Sequence, residues 1–196
     1  MPYSDSFESV LDAARAGAEW AWARLIDDIG GTLHGYVRRL GATDPDDLVS
    51  ETWLHVVRGL PRFTGDEAAF RSWVFTIAHH RIIDERRRLR RKPTVSLDEK
   101  PRDEMTLEAG PSAESEALRT LSEQDLLMTL AALPATQREV LVLRFFVGFG
   151  ITEIGSIIGK TPGATGAVQR RALKRLQKNL REDGRLRPPS SVTGVR

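Results

Sequence analysis

The sequence predicts an all-α protein of two small helical domains joined by an acidic flexible linker, with a helix-turn-helix at the end of the second domain. Apolar residues recur at helical spacing along most of the 196 residues, and no segment has a convincing strand pattern. That spacing is lost over residues 93–112, where prolines and a glycine stand among acidic residues. Over residues 151–180 a short apolar helix, a glycine turn and a basic helix follow one another, which is typical of a helix-turn-helix.

Three helices are predicted at the start of the chain. The first begins near Phe7 and is interrupted at Gly17. The second is predicted to end at Gly30-Gly31, because each glycine costs about 1 kcal/mol relative to alanine in a helix interior. The third is predicted to run from Leu33 to Gly41.

Two further helices are predicted in the same domain, for which we expect the bounds 1–92. Asp44 is a good N-cap residue and Pro45 suits the first helical position, so a fourth helix should start there and reach about Gly59. Asp66 is expected to cap a fifth helix that reaches about Arg91.

The second half of the chain is predicted to contain a linker, a domain and a tail. The linker takes residues 93–112 and the second domain residues 113–182. Pro134 should separate two helices at the start of that domain. The tail, residues 183–196, is rich in proline and serine and is expected to be disordered.

The helix-turn-helix prediction depends on residues 151–180. An apolar helix runs into Gly159, and Thr161-Pro162 opens a second helix that carries several basic residues. In such motifs the second helix enters the DNA major groove. Val168 marks the buried side of that helix, which leaves Arg170 on the opposite side.

Charge is segregated along the chain although the net charge is only +2. Residues 81–92 carry a net charge of +5, residues 93–125 a net charge of −6, and residues 160–187 a net charge of +7. Two basic blocks on separate domains favour two DNA-contacting surfaces.

Composition also excludes several kinds of protein. The chain has no cysteine, so a disulfide framework, a thiolate metal site and a cysteine nucleophile are excluded, and we expect no metal site and no cofactor. No apolar run approaches the ~18 residues that a membrane span needs. The acidic start of the chain does not resemble a signal peptide, so a cytoplasmic protein without membrane contact is expected.

Three long stretches cover the fourth helix and most of the fifth helix and of the helix-turn-helix, namely DPDDLVSETWLHVVRGLPRF (44–63), AAFRSWVFTIAHHRIIDERRRLRR (68–91) and LPATQREVLVLRFFVGFGITEIGSIIGKTPGATGAVQRRALKRL (133–176). In this order they resemble three conserved stretches of the bacterial extracytoplasmic-function sigma factors, which belong to the sigma-70 family. The resemblance implies a non-enzymatic protein whose partners are core RNA polymerase, promoter DNA and an anti-sigma factor. The first domain would bind the polymerase clamp helices and melted −10 DNA, and the second the polymerase flap and duplex −35 DNA.

The resemblance implies that the fourth helix contacts core polymerase. We expect Trp53 to be exposed, since it lies off the face formed by Leu48, Thr52 and Val56. The acids have an alternative role as helix caps, because negative charge is favoured at a helix N-terminus. The implied polymerase-binding residues are Asp46, Asp47, Leu48, Glu51, Trp53 and Val57.

The resemblance also implies a −10 DNA surface on the loop around Phe63 and on the fifth helix. Phe63 would form a wall of a pocket for a flipped base, although it could instead plug the core. Many family members have asparagine where His80 stands, which bears on base preference. The implied residues are Phe63, Trp73, His80, Arg81, Arg86, Arg87, Arg88 and Arg90.

The helix-turn-helix is implied to bind the −35 element. Arg170 is our choice for base contact, because arginine pairs bidentately with guanine. Gly163 and Gly166 lie on the groove-facing side and could allow a close approach to DNA. The implied residues are Thr161, Gly163, Thr165, Gly166, Gln169, Arg170, Arg171 and Lys174.

Two other classes of protein have to be weighed against this interpretation. A helix-turn-helix regulator would bind duplex DNA without polymerase, and its first half would serve sensing or dimerisation. An enzyme acting on DNA would need a metal-binding or nucleophile–base cluster, for which only Asp46/Asp47 and His80/Asp84 are candidates. Neither pair lies in a recognisable catalytic motif.

Overall fold

The computed structural model describes residues 6–91 and 128–182, and both ranges are helical. The all-α prediction is confirmed. The predicted linker 93–112, the tail 183–196 and Lys92 lie outside the described residues. The helices are α1 (Phe7–Arg15), α2 (Glu19–Arg39), α3 (Pro45–Gly59), a 3-10 turn (Leu60–Arg62), α4 (Glu67–Arg91), α5 (Ala135–Leu141), a π-helical segment (Val142–Val147), α6 (Ile151–Ile158) and α7 (Pro162–Glu182).

Helix α2 corrects the prediction that Gly30-Gly31 ends a helix. It continues through both glycines for 21 residues, from Glu19 to Arg39. Its buried residues Leu25, Ile29 and Leu33 follow one another at four-residue spacing across the glycines. Burial of one such side chain stabilises the fold by about 1.5–3 kcal/mol. The free energy gained by burying this face is therefore larger than the cost of placing two glycines inside a helix.

The predicted starts of α3 and α4 are confirmed by their caps. Asp44 Oδ1 accepts a hydrogen bond from Asp47 N at 3.0 Å, and Asp66 Oδ1 accepts one from Ala69 N at 2.8 Å. Such caps satisfy backbone N–H groups that have no partner within the helix. They fix where both helices begin.

The helix-turn-helix is formed by α6 and α7 as predicted. Gly159 adopts a left-handed conformation with φ 67° and ends α6. Gly155 allows the turn and the start of α7 to approach α6 closely, since a Cβ atom there would lie 2.6 Å from the Lys160 carbonyl oxygen and 3.2 Å from the Thr165 hydroxyl oxygen. The Thr161 hydroxyl then accepts from Ala164 N at 3.3 Å, at the start of α7.

We expect Gly155→Ala to destabilise the helix-turn-helix by about 1–3 kcal/mol, because the added methyl group would clash with backbone rather than with a flexible side chain. Gly163→Ala is the matched control, since its Cβ would meet nothing within 4 Å among the described residues. That change should be neutral or stabilising by up to about 1 kcal/mol. Thermal unfolding of the two variants checks this, and equal melting temperatures would contradict it.

The two described halves, domain 1 (residues 6–91) and domain 2 (residues 128–182), pack against each other. Helix α2 contacts the π-helical segment and α4 contacts α6, and α5 joins domain 1 through hydrogen bonds of Glu139. The buried Glu139 of α5 lies at the centre of this domain interface. Its Oε1 accepts from the Tyr36 hydroxyl at 2.6 Å, and His79 Nδ1 lies 2.6 Å from the same oxygen. Burial first, and then the Glu139 carboxyl group, raise the pKa of Tyr36 well above its usual value, so Tyr36 remains a hydrogen-bond donor.

Candidate nucleic-acid and protein interfaces

Helix α3 presents an exposed face that begins with acids and ends with apolar side chains. Asp46 and Asp47 lie exposed at its first turn, and the carboxyl group of Asp46 is 3.2 Å from His34 Nε2. Farther along, Leu54 is 54% exposed and Val57 is 47% exposed. Exposed apolar side chains beside charged ones are typical of a surface that binds another protein.

Two of the residues predicted for this face belong to the core instead. Trp53, predicted to be exposed, is only 9% exposed, and Leu48 is 4% exposed. Trp53 stands next to Thr52 and one turn before Val56, both fully buried, so the buried side of α3 is wide enough to include it. Glu51 is half-buried at the border of the exposed face.

Leu54 is a surface residue that sequence reasoning missed. It lies seven residues after Asp47 and three residues before Val57, so all three share one helix face. That spacing was present in the sequence. An apolar residue seven positions after Asp47 and three before Val57 is expected on the same face of a helix, and this is the signal that marks Leu54.

Phe63 and Trp73 belong to an aromatic cluster at the edge of domain 1. Their rings stack at a centroid distance of 5.0 Å, and Phe63 also meets the buried Phe70 edge-on at 5.5 Å. Both Phe63 and Trp73 remain half-buried. The cluster is therefore part of the core and also offers ring surface at its rim.

The basic residues of α4 divide into anchored and exposed ones. Arg86 donates to the Leu40 carbonyl at 2.9 Å and so joins α4 to the end of α2. Arg81 donates to Asp84 of the same helix at 3.2 Å. The exposed side chains among the predicted −10 residues are His80, Arg87, Arg88 and Arg90.

Helix α7 presents most of the residues predicted for −35 binding. Gly166 and Gln169 are half-exposed, and Gly166 leaves room beside it, since a Cβ atom there would lie 3.7 Å from a guanidinium nitrogen of Arg170. The remaining predicted residues except Thr165 are exposed, namely Thr161, Gly163, Arg170, Arg171 and Lys174.

Thr165 is the exception in this group. It is fully buried, and its hydroxyl donates to the Thr161 carbonyl at 2.9 Å. The predicted −35 contact by Thr165 is therefore wrong for this structure. Its position on the same face as Val168 and Ala172, both buried, already indicated a packing role.

The described residues hold neither a cluster of metal-binding side chains nor a membrane-spanning helix. No group of three or more histidine, aspartate or glutamate side chains there is placed to hold a metal ion. No helix in residues 6–91 and 128–182 is long and apolar enough to cross a membrane.

Comparison with known families identifies the two domains. The family model described as Sigma-70 region 2 matches residues 25–92, and the one described as Sigma-70, region 4 matches residues 123–176. SigD of Mycobacterium bovis, an extracytoplasmic-function RNA polymerase sigma factor, is 31% identical over 185 residues, covering 90% of this chain and 84% of SigD. The chain belongs to the extracytoplasmic-function sigma factors. The resemblance seen in the sequence is confirmed.

Other members of the family show similar agreement. The sigma factor BldN of Streptomyces coelicolor is 32% identical over 178 residues, and the match covers 90% of this chain and 66% of BldN. Two solved structures share the fold at a TM-score of 0.63. CnrH, in complex with the cytosolic domain of CnrY, is 23% identical over 89% of this chain and 96% of CnrH. The sigma factor RpoE of Bartonella quintana, in complex with the anti-sigma factor NepR, is 21% identical over 83% of this chain and 98% of RpoE.

Proposed function

We propose that this sigma factor brings core RNA polymerase to specific promoters and starts transcription there. Domain 1 binds the clamp helices and captures melted −10 bases, while the α6–α7 helix-turn-helix binds duplex −35 DNA. One observation carries the proposal. A single chain combines a region 2 domain and a region 4 domain, and each of them exposes charged side chains suited to its proposed partner.

The physical chemistry of the exposed residues supports this division. The face of α3 combines carboxylates with Leu54 and Val57, which suits a protein partner with basic and apolar side chains. Helices α4 and α7 present exposed arginines, which suit phosphates and guanine edges. Phe63 and Trp73 offer aromatic ring surface for stacking of a melted base.

The protein acts in the cytoplasm, without catalysis and without a cofactor of its own. Its contribution is to position the polymerase at the promoter. The arginines and aromatic rings that it presents to DNA bind the DNA and take no part in a chemical step. An anti-sigma factor covers the DNA-binding or polymerase-binding faces when the protein is inactive. Support for that partner comes from the family, since RpoE of Bartonella quintana was solved with the anti-sigma factor NepR.

Association with core polymerase tests the proposal against a plain helix-turn-helix regulator. The full chain is mixed with purified core polymerase and separated by size-exclusion chromatography. We expect comigration with polymerase in the absence of DNA. Binding to duplex DNA with no comigration would instead support the regulator.

A further inference from the structure

Arg15, the last residue of α1, joins that helix to the loop that carries Phe63. Its Nη2 donates to the Phe63 carbonyl at 2.6 Å, and its Nε donates to the Leu60 carbonyl at 3.4 Å. Its Nη1 donates to Oδ1 of Asp12, one turn earlier on α1, at 2.7 Å. Each guanidinium nitrogen therefore donates to an oxygen atom of domain 1, and the planar group is held in one orientation.

These contacts hold the start of the loop. Leu60 opens the 3-10 turn, and residues 63–66 then lead to the start of α4. The Leu60 carbonyl also accepts from Phe63 N at 3.1 Å, which closes the turn. Arg15 thus holds both ends of this turn from positions 45 and 48 residues away in the chain.

The position of the Phe63 ring depends closely on the position of its backbone. A Cβ atom at Gly65 would lie 3.1 Å from Cζ of Phe63 and 2.8 Å from the Cβ atom of Ala69, so the loop passes close to the ring. Phe63 also stacks on Trp73, and a Cβ atom at Gly59 would lie 2.6 Å from Cζ2 of that indole. Because both rings are packed this tightly, a displaced Phe63 backbone would carry the ring away from its place beside Trp73.

Helix α1 lies outside the stretch that matches the family model. The match to Sigma-70 region 2 begins at residue 25, whereas α1 spans Phe7–Arg15. The ring of Phe7 at its start lies 5.6 Å from the ring of Phe70, between centroids, and Phe70 in turn meets Phe63 edge-on. Both ends of α1 therefore contact the elements that hold Phe63.

Helix α1 is itself fixed to domain 1, so it can support a loop. Val10, Leu11 and Ala14 on its inner face are buried. Trp22 of α2 donates through Nε1 to the Ala14 carbonyl at 3.0 Å, next to Arg15. A helix anchored by buried side chains moves less than an exposed loop, so the hold of Arg15 restrains the loop.

We propose that Arg15 is a positioning residue for the melted −10 strand. By holding the carbonyls of Leu60 and Phe63, it fixes the Phe63–Trp73 stack in the position that captures a base, and it does so without touching the DNA. The inference rests on the proposed function for the strand that is captured, although the hold on the loop can be measured in the free protein.

A spin label on the loop measures this hold directly. Thr64→Cys gives a single exposed labelling site, because the chain has no native cysteine. We expect a restricted nitroxide spectrum with Arg15 in place and a mobile component in Arg15→Met. Arg24→Met is the matched control, since the ion-pair partner of Arg24, Asp28, lies on α2 itself. This control should leave the spectrum unchanged.

Strand binding measures the consequence. The probe is a single-stranded oligonucleotide selected from a randomised pool by the complex of the full chain with core polymerase. Arg15→Met should lower the affinity for this probe about tenfold, within the range for stacking of one base on an aromatic side chain. Arg15→Lys should lower it similarly, because lysine keeps the charge but lacks the planar fork that reaches two carbonyls. Polymerase affinity, which depends on the exposed face of α3, should be unchanged.

A double-mutant cycle shows whether Arg15 acts through Phe63. In a Phe63→Ala background, Arg15→Met should lower strand affinity by less than about twofold, because no ring is left to position. A loss that stays about tenfold in this background would indicate direct contact of Arg15 with the strand and overturn the proposal. Normal strand binding by Arg15→Lys would overturn it as well.

The outcomes separate this inference from the proposed function. An unchanged label spectrum in Arg15→Met would overturn the hold on the loop, whatever polymerase does, and an unchanged strand affinity would overturn the positioning role. A polymerase complex that selects no strand from the pool would refute the proposed −10 capture, while the spectrum of the free protein would still decide whether Arg15 holds the loop. Circular dichroism monitors folding, and Arg15→Lys takes the place of Arg15→Met in the label assay if the methionine variant unfolds.

Discussion

Replacement of Leu54 and Val57 by aspartate is expected to lower the affinity for core polymerase by about 30-fold or more. Both side chains are about half exposed on α3 beside Asp47, so little folding energy depends on them. An apolar residue at the centre of an interface contributes on the order of 2 kcal/mol when it is a hot spot. Because about 1.4 kcal/mol corresponds to a tenfold change in affinity, one hot spot of the two accounts for about 30-fold and a second would add to it. Titration of labelled protein with core polymerase measures the loss.

Ile26→Asp is the matched control for this double substitution. Ile26 is 42% exposed on α2, so the control introduces an aspartate at another exposed apolar position, with one negative charge where the double variant has two. It should leave polymerase affinity unchanged. If the double variant bound as tightly as the control, α3 would not be the polymerase-binding face.

The second large effect is expected for Arg170→Ala, which should relax −35 recognition while polymerase binding stays intact. Arg170 is exposed on α7, and its guanidinium lies beside the small residue Gly166. A bidentate pair of arginine with guanine contributes about 1–3 kcal/mol of discrimination. Loss of polymerase binding in this variant would contradict the division of labour between the two domains.

Arg175→Ala is the charge-matched control for Arg170→Ala. Arg175 is exposed on the same helix but points about 140° away from Arg170, at about 100° per residue. Its loss should weaken DNA binding similarly for all sequences and leave the preferred −35 sequence unchanged. Binding to a panel of substituted −35 duplexes at one fixed salt concentration distinguishes the two results.

The helical class, the caps at Asp44 and Asp66 and the helix-turn-helix could all be predicted from sequence. Each depends on residues close together in the chain, whose preferences are decided locally. The continuation of α2 through Gly30-Gly31 could not be predicted in this way. It depends on apolar burial against other helices, which outweighs a local helix preference of about 1 kcal/mol per glycine.

The candidate surfaces were predicted in outline but not in each residue. Trp53 and Thr165 were assigned to binding surfaces and proved to be buried, because the width of a buried helix face is set by the neighbouring helices. The Glu139 contact with Tyr36 and His79 joins residues distant in sequence. No local pattern marks a buried carboxyl group of this kind, and only the docking of two domains reveals it.

Run-off transcription from a randomised promoter library with purified core polymerase tests the central claim most directly. We expect transcripts to depend on this protein and the enriched templates to share two sequence blocks, one near −10 and one near −35. Arg170→Ala should change only the upstream block. Transcription no greater than that of core polymerase alone, or enrichment of a single block, would contradict the assignment of this chain as a two-domain promoter reader.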